Sequence, residues 1–207
     1  MRNVKGLVAA AATSAAVLGL LAAPSASAAD APKDHGKPVT SLAGLKLIPS
    51  KAKGTANRDA RAAAEPQAFL LTSTASGRCL DADTGTLWEN GTTVALWDCD
   101  DTAPNQGWYF IFHEEDKTVS FVNLASGRVL DADLDTFGEN GTKVQLWDRN
   151  DWDNQRWALY SNDEGKHLII QNVASGQVLD ADGNTLDEPG TRVQLWDYYG
   201  AENQIWE

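Results

Sequence analysis

The sequence contains little cysteine, histidine and methionine, and fewer basic than acidic residues. Its 207 residues include 2 Cys, 3 His and 1 Met. Two cysteines are too few for a scaffold held together mainly by disulfides. The 17 Lys and Arg against 29 Asp and Glu leave a formal net charge of −12. This is the wrong sign for binding a nucleic acid, and it disfavours anionic membranes and acidic glycans.

Long hydrophobic runs are absent after residue 28, so no membrane span is predicted there. The first 28 residues combine a cationic start at Arg2 and Lys5, an apolar stretch at 6–23 and the small residues Ala26-Ser27-Ala28. This order is typical of a secretory signal peptide. A membrane anchor is disfavoured because the stretch is short and rich in Ala. We therefore predict a signal peptide at 1–28 and a secreted, extracellular chain.

Aromatic residues are also absent from 29–67. This segment has seven basic and four acidic residues and one weakly apolar patch at 42–48. Such a composition buries too little apolar surface to offset the entropy lost on ordering. The sequence therefore predicts a disordered linker or a pro-segment at 29–67. A pro-segment docked on the domain is compatible with the residues but not required by them.

The remaining residues, 68–207, contain all eight Trp and one unit written three times. Each unit opens on Ala-Ser-Gly-x-x-Leu-Asp-Ala-Asp, has a Leu-Trp-Asp triplet whose Trp follows the first Asp by 16 residues, and closes on Asn-Gln-x-Trp. The closing Gln residues are 49 apart both times: Gln106, Gln155 and Gln204. The constant phase predicts one domain of three repeats.

Within each repeat, short apolar runs are separated by turn residues such as Asn90-Gly91 and Asn140-Gly141, with Pro189-Gly190 at the equivalent place. No stretch sustains a helical period beyond a couple of turns, so the domain is predicted to be all-β. Three repeats are too few for a propeller. A closed three-fold barrel capped by hairpins leaves no exposed sheet edge and is the simpler arrangement.

The Gln-x-Trp endings, the Cys79-Leu80-Asp81 opening and Val144-Gln145-Leu146-Trp147 resemble the ricin B-type lectin domain over 69–207. That family has a β-trefoil fold and also occurs as family 13 carbohydrate-binding modules attached to secreted glycan-degrading enzymes. The resemblance implies a β-trefoil with pseudo-threefold symmetry built from repeats of about 49 residues. It also implies binding of neutral glycans that contain galactose, arabinose or xylose.

Strand alternation separates two classes of Trp. In 144–148, Val144 and Leu146 lie on one face and Gln145 and Trp147 on the other, so an aliphatic core leaves Trp147 facing outward. An outward indole suits stacking against a pyranose ring; the alternative is that it covers a neighbouring loop. The Trp of each Gln-x-Trp is predicted to lie in the core: Trp108, Trp157 and Trp206.

A carboxylate accepts hydrogen bonds from two adjacent sugar hydroxyls, and amides both donate and accept. The alternatives are a turn-capping role for Asp and a structural hydrogen bond for the Gln of Gln-x-Trp. In the resembled lectins, the Asp, the Gln two before the aromatic, the aromatic and the Asn-Gln pair line the sugar pocket. The first repeat has Ala95 in place of that Gln, which predicts a weaker or silent pocket. The implied carbohydrate-binding residues are Asp131, Gln145, Trp147, Asn154 and Gln155; Asp180, Gln194, Trp196, Asn203 and Gln204; and Asp81, Trp97, Asn105 and Gln106.

Cys79 and Cys99 lie 20 residues apart inside the first repeat. An even number of Cys in a secreted chain implies a bridge, here closing one repeat onto itself. No Cys or His partners stand at metal-ligand spacing, so no metal site is expected. The run 131–135 lacks the Gly and Glu of the helix-loop-helix calcium pattern. A non-standard calcium site there is an alternative, but a solubilising acidic surface explains the carboxylates more simply, and no cofactor is implied.

Catalysis is not expected, because catalytic groups are normally unique whereas these candidates occur three times. The three His share no repeat position, and no Gly-x-Ser-x-Gly or His-Glu-x-x-His motif is present. The sequence therefore predicts a monomeric, non-catalytic protein that binds a glycan or polysaccharide. Two alternatives remain: a secreted trefoil that binds a protein partner as an inhibitor, and a glycoside hydrolase, which needs only two carboxylates.

Overall fold

A computed structural model describes residues 35–54, 67–161, 163 and 165–207. The described residues form 13 strands and three 3₁₀ turns. The predicted signal peptide, 1–28, lies outside the described residues. The strands are β1 (Lys37–Pro38), β2 (Ile48–Pro49), β3 (Phe69–Leu70), β4 (Cys79–Ala82), β5 (Thr92–Trp97), β6 (Trp108–His113), β7 (Thr118–Asn123), β8 (Val129–Ala132), β9 (Thr142–Trp147), β10 (Trp157–Ser161), β11 (Ile169–Asn172), β12 (Val178–Ala181) and β13 (Thr191–Trp196).

Three hairpins close into a ring, one from each repeat. They are β4–β5, β8–β9 and β12–β13, and all have the same register. The second strand of each hairpin also pairs with the second strands of the other two, through Thr92↔Leu146, Thr142↔Leu195 and Thr191↔Leu96. The remaining strands pair beneath this ring, where β6 joins β7 and β10 joins β11. The fold is an all-β trefoil with pseudo-threefold symmetry, as predicted.

The core lies inside the barrel and takes one face of each hairpin strand. In β9, Val144 and Leu146 are fully buried, as alternation on a half-buried strand requires. The Trp that ends each Gln-x-Trp is also fully buried, which confirms the prediction for Trp108, Trp157 and Trp206. Each indole N–H donates to a backbone carbonyl of the first hairpin strand in its own repeat: Leu80, Leu130 and Leu179, at 2.9–3.2 Å.

Residues 35–54, which we call the strap, run along the barrel. β1 pairs with β10, and β2 pairs with β3. Residues 35–54 are ordered, unlike the disordered linker predicted for 29–67, and residues 29–34 and 55–66 of that segment lie outside the described residues. Aliphatic side chains from the apolar patch and its neighbour Val39 pack against a core that the domain already provides; they are Val39, Leu42, Leu45 and Leu47. A segment too poor in apolar residues to fold alone is ordered here by tertiary contact.

Cys79 and Cys99 form a disulfide between the start of β4 and the residues after β5. The bond closes the first repeat onto itself, as predicted. No helix among the described residues is long and apolar enough to cross a membrane.

Candidate functional site

Each repeat forms one pocket on the outer face of its hairpin. The register places the first Asp of the repeat opposite the residue two before the Trp: Asp81↔Ala95, Asp131↔Gln145 and Asp180↔Gln194. Directly opposed residues share a face, so the carboxylate, the amide and the indole gather on one side. Pocket 1 is lined by Asp81, Asp83, Thr84, Thr93, Ala95, Trp97 and Asn105, pocket 2 by Asp131, Asp133, Leu134, Asp135, Gln145, Trp147, Asn150, Trp152 and Asn154, and pocket 3 by Asp180, Asp182, Gly183, Asn184, Gln194, Trp196 and Tyr199.

The pocket indoles face solvent, unlike the three core Trp. Trp97, Trp147 and Trp196 expose 50%, 38% and 36% of their surface. Alternation causes this outward orientation, because the preceding Leu in each strand is fully buried. Each pocket therefore contains a flat apolar platform next to polar groups.

The carboxylate of pocket 2 is buried and held by three amides. Asp131 is 3% exposed. Gln145 donates to its Oδ1 at 3.1 Å, while Asn154 and Gln155 donate to its Oδ2 at 2.9 and 2.8 Å. Burial raises the pKa of the Asp131 carboxyl above its ordinary value, although these hydrogen bonds oppose the rise. Desolvation likewise raises the pKa values of Asp81 and Asp180.

The Asn of each repeat orients its pocket through its side-chain nitrogen. Asn154 Nδ2 donates to Asp131 and to the Ala132 carbonyl, both at 2.9 Å. Its Oδ1 is buried and has no hydrogen-bond partner among the residues that the structure describes. In pocket 3, the equivalent Asn203 Oδ1 accepts a hydrogen bond from the Tyr199 hydroxyl at 2.9 Å. A buried amide oxygen without a hydrogen-bond partner among the described residues therefore distinguishes pocket 2 from pocket 3.

The Gln of Gln-x-Trp lies behind the carboxylate. Gln155 Nε2 donates to Asp131 and to the Asp148 carbonyl, and its Oε1 accepts from the Asn150 backbone N–H at 2.9 Å. Gln155 is buried, and so are its equivalents Gln106 and Gln204. None of these three described side chains is among those lining a pocket. These Gln side chains hold the carboxylate and the loop that follows the hairpin. This favours a structural hydrogen bond, rather than ligand contact, as their role.

Pocket 1 departs from the other two in size and polarity. Ala95 replaces the Gln arm, and the pocket volume is about 560 Å³, against about 290 Å³ for each of pockets 2 and 3. Asp81 is held by Asn105 and Gln106 at 2.9 and 2.8 Å. The short side chain thus leaves a wider hollow with one fewer amide.

Each pocket is bordered by the hairpin turn of another repeat. Gly91 has a φ of +90°, which favours Gly. A Cβ there would lie 3.8 Å from Gln145 Oε1 and 3.9 Å from Trp147 Cζ3. Asn90 fixes the turn through two hydrogen bonds with Asp148, at 3.1 and 2.7 Å. The turn of the first repeat therefore packs beside pocket 2, and the next two turns pack beside pockets 3 and 1 in the same way.

Sequence reasoning missed two kinds of lining residue. The first is a second carboxylate in each pocket: Asp83, Asp133 and Asp182. The signal was present, since Asp-Ala-Asp places both carboxylates on one face of a strand. The second kind is an additional aromatic, Trp152 in pocket 2 and Tyr199 in pocket 3. These two residues occupy different repeat positions, so the three-fold pattern contained no signal for them.

Comparisons with known proteins identify relatives of this arrangement. The model of the Ricin-type beta-trefoil lectin domain family matches residues 67–206. The chain is similar to ThreeFoil, a designed 3-fold symmetric protein, with 25% identity and a TM-score of 0.62 over 68% of this chain and 96% of that chain. No curated protein sequence matched.

Two natural structures are also similar. An exo-beta-1,3-galactanase from Clostridium thermocellum has 26% identity and a TM-score of 0.61, and the match covers 68% of this chain and 29% of that chain. A Macrolepiota procera ricin B-like lectin in complex with lactose has 19% identity and a TM-score of 0.55, covering 70% and 96% of the two chains.

Proposed function

Because the chain belongs to the Ricin-type beta-trefoil lectin domain family, a carbohydrate-binding role follows, and we propose that it is a secreted, non-catalytic lectin. Its ligands are neutral glycans of the galactose, arabinose or xylose type, bound in up to three repeated pockets. The domain responsible is 68–207. Secretion is supported by the leader-like residues 1–28 and by the disulfide, since such bonds persist in oxidising compartments.

One observation carries this proposal: an exposed indole stands beside a fixed carboxylate in every repeat. The C–H groups of a pyranose stack on an indole, and two adjacent hydroxyls donate to a carboxylate. Three amides hold Asp131 in place before any ligand arrives. A fixed acceptor next to a flat apolar surface is the arrangement that small-ligand pockets use for orientation and specificity.

The pockets are unequal, and pocket 2 is the strongest candidate. It combines the Gln145 arm, two exposed Trp and an Asn154 Oδ1 that no described residue already engages. Pocket 3 retains Gln194 and Trp196, but there the Tyr199 hydroxyl already donates a hydrogen bond to the equivalent Asn203 Oδ1. Pocket 1 lacks the Gln arm at Ala95. We expect the order of affinity to be pocket 2, pocket 3 and then pocket 1.

A glycan array tests the proposal, using the secreted mature protein and variants of the two best pockets. Wild type is expected to bind neutral saccharides, and Trp147→Ala combined with Trp196→Ala to lose most of that binding, because each change removes a stacking surface. Trp88→Ala is the matched control, since Trp88 is 57% exposed and lies outside the pocket linings. Circular dichroism verifies that all variants retain the fold.

Three results would contradict the proposal or a part of it. Equal binding by wild type and the double pocket variant would mean that these indoles do not contact sugar. Release of reducing sugar from a bound polymer would contradict the non-catalytic part. Absence of glycan binding together with tight capture of a defined protein would favour the inhibitor alternative.

A further inference from the structure

The three pockets share an acidic lining. Each contains two carboxylates of the Asp-Ala-Asp run, and pocket 2 adds Asp135. No Lys, Arg or His is among the described residues that line any of the three. The side chains that line the pockets therefore carry negative charge and no positive charge, which favours cations over anions.

Nearby basic side chains are engaged away from the carboxylates of pocket 2. Lys143 donates to the Gly91 carbonyl at 2.9 Å, and Arg149 pairs with Asp151 at 2.6 Å. Arg128 contacts Asp148 and Asn90. Asp133 adds to the rise that burial causes in the pKa of Asp131. The negative charge of the pocket is thus left without a neutralising partner inside it.

The amides around Asp131 have few donors left for a ligand. Both amide protons of Asn154 are engaged, by Asp131 and the Ala132 carbonyl, and both of Gln155, by Asp131 and the Asp148 carbonyl. Gln145 donates one of its two amide protons to Asp131. The buried Asn154 Oδ1 has no hydrogen-bond partner among the described residues, and carboxylates accept only. At the Asp131 end, the pocket therefore favours a ligand that brings donors.

Resting on the proposed lectin function, we propose that pocket 2 prefers sugars bearing a protonated primary amine, such as 2-amino-2-deoxyhexoses, over the same sugars with a hydroxyl. An ammonium group offers three donors, no acceptor and a positive charge, which matches a lining that contains Asp131, Asp133 and Asp135. N-acetylation removes that charge and two of the donors. A sugar carboxylate adds repulsion and is disfavoured.

A bare metal ion fits this pocket less well than an ammonium group. No group of three or more His, Cys, Asp or Glu among the described residues is placed to hold a metal. Asp133 also directs its carboxylate towards its own turn, where Thr136 donates to Oδ2 at 3.1 Å. An ammonium carried on a stacked sugar needs only one or two of these acceptors at a time.

Calorimetry of matched sugar pairs tests the preference in a Trp97→Ala, Trp196→Ala background, which leaves pocket 2 as the site measured. The pairs are galactose with galactosamine and glucose with glucosamine. The work is done at about pH 6, where an amine that titrates near pH 8 is protonated. Where the neutral sugar of a pair binds, the amino sugar is expected to bind about three- to tenfold more tightly. This difference in affinity should become smaller in high salt. N-acetylgalactosamine and galacturonic acid should show no such advantage.

Asp133→Asn identifies the source of the advantage. The ratio of amine to neutral affinity should fall in this variant, because one of the three carboxylates in the pocket lining loses its charge. Glu114→Gln removes one charge at an exposed site outside the pockets and should keep the ratio.

An amine that binds no more tightly than its neutral partner overturns the inference and leaves the lectin function standing. So does a ratio unchanged by Asp133→Asn. Failure of every sugar to bind would instead overturn the lectin function and the inference with it.

Discussion

Asp131 shows how a single residue serves as both anchor and acceptor. Its burial costs solvation, and three amide donors offset part of that cost. The same donors fix the direction of the remaining lone pairs. A ligand that binds here meets an acceptor whose orientation is already determined, so little ordering entropy is lost at this group.

The pH dependence of sugar binding follows from that burial. The binding form is the carboxylate, and burial raises the pKa of Asp131 above the ordinary 3.8. A proton is therefore taken up at higher pH than by a free aspartate, and affinity falls as pH decreases through the raised pKa. Calorimetry from about pH 7 downward should show this loss. Asp131→Asn should bind about tenfold or more weakly at pH 7 and lose this pH dependence.

Two controls accompany this titration. Glu114→Gln should retain the wild-type pH profile, because Glu114 lies on an exposed turn and pairs with Lys117. Tryptophan fluorescence at each pH reports whether the fold persists. A wild-type affinity that stays constant down to the onset of unfolding would show that Asp131 does not contact the ligand.

The platform indoles could be predicted at the residue scale, but the state of the Asn oxygen could not. A period of two in 144–148 determines which side of the strand Trp147 occupies. The hydrogen bonding of the Asn oxygen instead depends on a neighbouring loop. Tyr199 donates to Asn203 Oδ1 in pocket 3, whereas no described residue donates to Asn154 Oδ1 in pocket 2. That difference arises in irregular loops, where periodicity carries no information.

The strap is an element whose order comes from its surroundings. It lacks aromatic residues, yet four of its aliphatic side chains rest on the core. Lys51 also pairs with Asp101 at 2.6 Å, and the basic strap lies on an acidic domain. Composition alone predicted too little order because it measures what a segment buries by itself, not what it buries against a neighbour.

Packing of the strap predicts a measurable loss of stability. Leu45→Ala should lower the free energy of unfolding by about 1 kcal/mol, since a half-buried Leu contributes roughly half of a fully buried one. Thr40→Ala, at an exposed strap position, should change it little. Urea denaturation followed by tryptophan fluorescence measures both. Equal stability of the two variants would mean that Leu45 does not pack on the barrel in solution.

At the scale of the whole molecule, the repeats depend on one another. The turn at Asn90-Gly91 packs against side chains of pocket 2, so one repeat supports the pocket of another. The three-fold phase of the sequence predicted the closed architecture because each hairpin needs a partner to pair its second strand. It did not predict that each turn would border another repeat's pocket, which depends on the angle between hairpins.

Three pockets on one rigid body predict avidity for a polymer. Binding of the second and third pockets becomes intramolecular once the first is occupied, which raises apparent affinity by roughly 10² or more when the spacing allows it. Wild type should therefore bind an immobilised polysaccharide about a hundredfold more tightly than Trp97→Ala, Trp196→Ala, which retains pocket 2. The affinity of pocket 2 for a monosaccharide should be the same in both proteins, since its lining is untouched. Surface plasmon resonance gives the first comparison and calorimetry the second. Equal polymer affinities would mean that one pocket acts alone, because each additional pocket would then contribute nothing to retention on the polymer.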